Sequence, residues 1–110
     1  MLEDAIRKIE EAIKKVGSLK SGRKAELLRL LGELKKEVRN LPKAHGERAQ
    51  SIGNLAHAAA HEAARKKRAP ALLKHSTEGL SLSAEEFSVS HPKIVEIVND
   101  IALMLSQIGI

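Results

Sequence analysis

No cysteine occurs among the 110 residues, which excludes disulfides, thiolate zinc sites, iron–sulfur clusters and cysteine nucleophiles together. Tryptophan and tyrosine are missing too, leaving Phe87 as the one aromatic residue of that class. Single-stranded nucleic acids are held by stacking bases on aromatic rings, and this chain offers no such platform. No run approaches the ~18 consecutive apolar residues of a membrane span. The opening Met1-Leu2-Glu3-Asp4-Ala5-Ile6 is acidic and amphipathic, without the basic start and apolar stretch of a secretory signal, so the cytosol is the expected compartment. There is neither a G-x-S-x-G elbow nor a phosphate-cradling glycine loop; the glycines stand mainly at breaks between periodic segments. Neither an enzyme nor a cofactor is expected.

What is present is aliphatic. Hydrophobic residues make up 43% of the chain, almost all Leu, Ile, Val and Ala, which is the composition of a helix-bundle core. A chain of this length is one domain by the usual size relation and buries roughly 65% of the surface its unfolded form exposes. The formal charge of +5, from 19 Lys and Arg against 14 Asp and Glu, permits non-specific attraction to acidic partners. That charge is spread along the chain except for the run Arg65-Lys66-Lys67-Arg68.

Apolar spacing predicts five helical segments. Leu2, Ile6, Ile9, Ile13 and Val16 alternate four-residue and three-residue steps, giving a first helix over about 2–16 with a narrow seam. Glu3, Asp4, Glu10 and Glu11 each precede Arg7, Lys8, Lys14 and Lys15 by four positions, the favoured order for helical ion pairs on a solvated face. The same segment has the form of a membrane-surface helix, but its four acidic residues argue against anionic lipid. Gly17 is a helix stop and Ser21 an N-cap for a second helix over about 22–40, seamed by Leu27, Leu31, Leu34, Val38 and Leu41. So short a link makes these two segments, within 1–41, an antiparallel helical hairpin with coiled-coil-like seams.

Pro42 ends that hairpin, and 43–110 holds the remaining helices. The third starts between Lys43 and Glu47 and is expected to run to Arg68; Ala49, Ile52, Ala56, Ala59 and Ala63 form its seam, small enough for a partner to approach near the ~8 Å lower limit of interaxial distance. Pro70 opens the fourth segment, over 70–90, read as one helix with a bend; Ser83-Ala84-Glu85-Glu86 has the form of a capping box that would start a fresh helix instead. Ser90-His91-Pro92 opens the last, which runs to about Ile108, with Gly109 and Ile110 suited to a helix-terminating motif. The fold class that follows is all-α: an antiparallel bundle of about five amphipathic helices, or two hairpins joined end to end.

The stretch Glu85-Glu86-Phe87, Ser90-His91-Pro92 and Met104-Leu105-Ser106 with Ile108-Gly109-Ile110, together with His61-Glu62-Ala63, resembles a family of short bacterial proteins known only as a domain of unknown function. The resemblance implies a small helical bacterial protein and carries no catalytic residues across.

Three surfaces are candidates for function. The last helix has the widest apolar stripe, and Ile94, Ile97, Val98, Ile101, Leu105 and Ile108 exceed what one neighbour covers, pointing to a homo-oligomer, a dimer being the commonest closed form. Leu103, opposite that stripe, hints at a second contact. The leading expectation is therefore a non-enzymatic oligomeric interaction or scaffold protein. A rival reading makes Arg65, Lys66, Lys67 and Arg68 a phosphate contact for nucleic acid, reinforced by Lys74 and His75; cations completing the last helical turn explain the run equally well. A third makes His57 and His61, one turn apart, two ligands of a metal site whose remainder comes from His45, His75, His91 or a partner; the plain alternative is a polar edge on an Ala-rich helix.

Overall fold

The computed structural model describes residues 2–14, 21–65 and 69–107. Among these residues there are five α-helices: α1 (Leu2–Lys14), α2 (Ser21–Arg39), α3 (Gly46–Ala64), α4 (Pro70–Ala84) and α5 (Pro92–Gln107). Single 3-10 turns at Lys43–His45 and Glu85–Phe87 lead into α3 and out of α4. The predicted stops at Gly17, Gly109 and Ile110 lie outside the described residues.

Cross-links between side chains set the helix directions. Lys24 Nζ donates to the Lys14 carbonyl at 3.0 Å, capping the end of α1, and Lys35 meets Glu10 at 3.3 Å, so α1 and α2 are antiparallel. Arg48 at the start of α3 pairs with Glu86 beyond the end of α4 at 2.6 Å, which fixes α3 and α4 antiparallel. Lys93 at the start of α5 reaches Glu37 near the end of α2 at 3.5 Å, so these two are antiparallel as well. The helices alternate in direction, as an up-and-down bundle requires. Around it they follow the order α1, α3, α4, α5, α2, closing back on α1, and α3 also touches α5 across the ring.

That order resolves whether the chain extends as joined hairpins. The radius of gyration is 13.0 Å, close to the ~13 Å of a compact domain this long, so α3 and α4 fold back on the others. One core results, in which Ile6, Ile9 and Ile13 of α1 and Leu27, Leu30, Leu31 and Leu34 of α2 join the inner faces of α3, α4 and α5. The small seam of α3 is buried as expected: Ala49, Ile52, Ala56, Ala59 and Ala63 are covered, along with Gly53 and Ala60. A Cβ placed on Gly79 of α4 would stand 3.5 Å from the end of the Leu55 side chain of α3, an ordinary van der Waals contact.

One segment boundary differs from expectation, and at another the structure selects between two readings. The third helix ends at Ala64 rather than Arg68, because Arg65 turns to extended backbone at φ −63°, ψ 141°. The fourth does not restart at the capping-box sequence. Ser83 Oγ donates back to the Leu80 carbonyl at 2.6 Å instead of forward to a free amide, so the hydroxyl serves the end of a helix, not the start of one. The following 3-10 turn buries Phe87 completely, and His91 N–H then closes on the Phe87 carbonyl at 2.7 Å before Pro92 begins α5.

Candidate functional site

The stripe on α5 expected to meet another molecule is spent inside the chain. Ile94, Ile97, Val98, Ile101 and Leu105 are all buried, and Ile108 lies outside the described residues. The reason is the ring order: α5 has α2 on one flank, α4 on the other and α3 across from it, so three neighbours divide a stripe too wide for one. An interface needs exposed atoms, so Ile94, Ile97, Val98, Ile101 and Leu105 form core and not the intermolecular face expected of them.

Apolar surface is left over on the outer flank. Leu82 of α4 is 62% exposed and Leu103 of α5 is 57% exposed, and both line an open groove between the two helices. Thr77, Ser81, Asn99, Ala102 and Ser106 also line it. Two of its three hydroxyls are turned to their own helices: Thr77 Oγ1 donates to the Lys74 carbonyl at 3.0 Å and Ser106 Oγ to the Leu103 carbonyl at 2.7 Å. With their donors occupied, these side chains present mostly carbon to the groove. Glu78 is the single charged residue among those that line it, in a chain with 19 Lys and Arg.

The other sequence candidates are scattered. His57 and His61 are both exposed on α3, and no third His, Cys, Asp or Glu joins them to make a metal-holding group among the described residues. Arg65 is exposed and its guanidinium donates to Glu62 at 2.8 Å; since α3 has already ended, Arg65 does not continue the last helical turn. Lys66, Lys67 and Arg68 lie outside the described residues, and Lys74 and His75 are exposed on α4. Elsewhere on the surface, Arg29 of α2 binds both Glu26 and Glu33, the latter at 2.7 Å. The hydrogen bond from Arg29 holds the Glu26 carboxyl below its ordinary range, and the same bond raises Arg29.

One constellation escaped sequence reasoning. His45, Phe87 and His91 meet at the end of the bundle where α3 and α5 begin, with ring centroids 5.6 Å (His45–Phe87), 5.7 Å (His45–His91) and 5.9 Å (Phe87–His91) apart. Both histidines are half-buried. Each stands in a link between helices, where hydrophobic period carries no information, and only their shared place beside a helix start hinted at a common end.

With this geometry in view, the match to known sequences is informative about extent. Residues 27–110 match the model of a family described as a domain of unknown function, DUF4404. The chain belongs to this family. The match takes in most of α2 and all of α3, α4 and α5, so the groove and the His45–Phe87–His91 cluster both fall within the family segment, while α1 precedes it. No curated protein and no solved structure matches the chain. None of the helices is long and apolar enough to cross a membrane, among the described residues.

Proposed function

We propose that the protein is a non-enzymatic helical interaction module that pairs with a second copy of itself through the α4–α5 groove. The observation that carries this reading is the pair of leucines, Leu82 and Leu103, standing exposed beside a floor of small side chains. Under a two-fold axis, the leucine ridges of one copy fill the small-residue floor of the other, which is the self-complementarity a closed dimer needs. Charge favours the same face. Two chains of net charge +5 repel, and they approach at least cost where no Lys or Arg lines the contact.

Area sets the strength. Helices of 15 and 16 residues at ~1.5 Å per residue, lying side by side, present a face on the order of 450 Å² in projection. A stable interface covers ~800 Å² per partner, so the dimer belongs to the weak, reversible class. Sedimentation across micromolar to millimolar concentration tests this. Mass should rise towards that of two chains, and Leu82→Glu with Leu103→Glu should keep the protein monomeric with its dichroism unchanged. A wild-type chain that stays monomeric throughout refutes the pairing. Salt-sensitive DNA binding by such a monomer, lost when Arg65, Lys66, Lys67 and Arg68 become Gln, would transfer the function to the basic run.

A further inference from the structure

We propose that His45 and His91 form a two-imidazole site for a late first-row divalent cation, of which zinc is the test case, at the end of the bundle where α3 and α5 begin. The spacing fits. Two imidazoles ligating one zinc at ~2.0–2.1 Å in a tetrahedral arrangement hold their ring centroids roughly 5–6 Å apart. Here the centroids are 5.7 Å apart, inside that range, and the ring planes meet at 77°.

The surroundings prepare the rings as ligands. Nδ1 of His91 stands 3.0 Å from Ser90 Oγ; when this nitrogen donates to the hydroxyl, Nε2 carries the free lone pair. An outer hydrogen bond on the non-ligating nitrogen is the usual support for a metal-bound histidine. Phe87, fully buried, flanks both rings and limits where they swing. Two of the nearby cations are matched, Arg48 with Glu86 at 2.6 Å and Lys93 with Glu37 at 3.5 Å, and Lys43, in the same turn as His45, is exposed to solvent that screens its charge. No third His, Cys, Asp or Glu completes the group among the described residues, so water fills the remaining positions and the cation is exchangeable. Imidazole donors suit zinc, copper and nickel. Bound there, the ion ties the α2–α3 connection to the start of α5 and stabilises the folded chain by mass action.

Calorimetric titration of Zn²⁺ alone into the untagged full chain tests the site, with melting temperature followed in parallel. Wild type should bind saturably and melt higher with zinc. His45→Ala and His91→Gln should each weaken binding by roughly tenfold or more. The His57→Ala/His61→Ala double variant, which removes the exposed pair on α3, should keep the wild-type isotherm. If His91→Gln loses its helical dichroism, His45→Ala decides alone, because its side chain is only half-buried in a short turn. A wild-type isotherm from folded His45→Ala, loss of binding confined to the His57/His61 variant, or no heat and no melting shift in wild type each overturns the proposal.

Discussion

The pairs α1–α2 and α3–α4 look alike as sequence, each being two amphipathic segments across a short link, yet they pack differently. α3 and α4 share the most extensive border in the bundle, and the Leu55 side chain reaches across it to Gly79. α1 and α2 share a looser border: α1 lies mainly along α3, and α2 mainly along α5. Side-chain size separates the two cases. α3 brings Ala49, Gly53, Ala56 and Ala60 to its buried surface, whereas α1 and α2 bring Ile9, Ile13, Leu27 and Leu31, and bulkier side chains at a contact set helix axes further apart. Link length thus sets the direction of a neighbour, and side-chain volume sets how closely it approaches.

Four substitutions probe that contrast, from the strongest effect to the weakest. Leu31→Ala in α2, at a fully buried position, should leave a cavity and destabilise by ~2–5 kcal/mol, read by urea denaturation. Ala56→Leu on the small seam of α3 should cost ~1–3 kcal/mol by overpacking, and an unchanged midpoint would show that the seam has room the described packing denies. Gly32→Ala in α2, where a Cβ meets nothing within 4 Å, should raise stability by about 0.5–1 kcal/mol through helix propensity. Gly79→Ala should gain a similar amount, its Cβ making an ordinary contact at 3.5 Å; a fall in melting temperature would mean that α3 and α4 approach more closely still.

The smallest effect belongs to the surface pair on α2. Glu26 has its folded-state pKa lowered by Arg29, so its contribution is present above the unfolded-state value and disappears as pH falls through the folded-state value. Both side chains are solvated, so salt should erase the difference between wild type and Glu26→Gln in acid melts. A difference that persists in high salt would show that the pair is shielded from water.

Much of the helical layout was legible in advance because its signals are local. Pro42, Pro70 and Pro92 each mark a break or a first turn, and the seams between them repeat with helical period. Sequence is ambiguous where a local signal has two uses. Ser83 carries the same hydroxyl whether it caps the next helix or closes the last, and only the fold selects the second. The basic residue Arg65 suits a final helical turn, yet the chain leaves the helix at Ala64 on its way to Pro70. His57 and His61 drew attention because they are neighbours in sequence, while His45 and His91 became neighbours only when two distant links met at one end of the bundle.

By itself, then, the order of amino acids determined that the chain is helical, about where each helix begins, and which stripe of each avoids water. Those properties depend on residues within a turn or two of one another. The tertiary structure decided how the stripes were shared out, because burial belongs to a residue's neighbours and not to the residue. The same leucine chemistry places Leu105 in the core and leaves Leu103, two positions earlier on the same helix, facing an open groove.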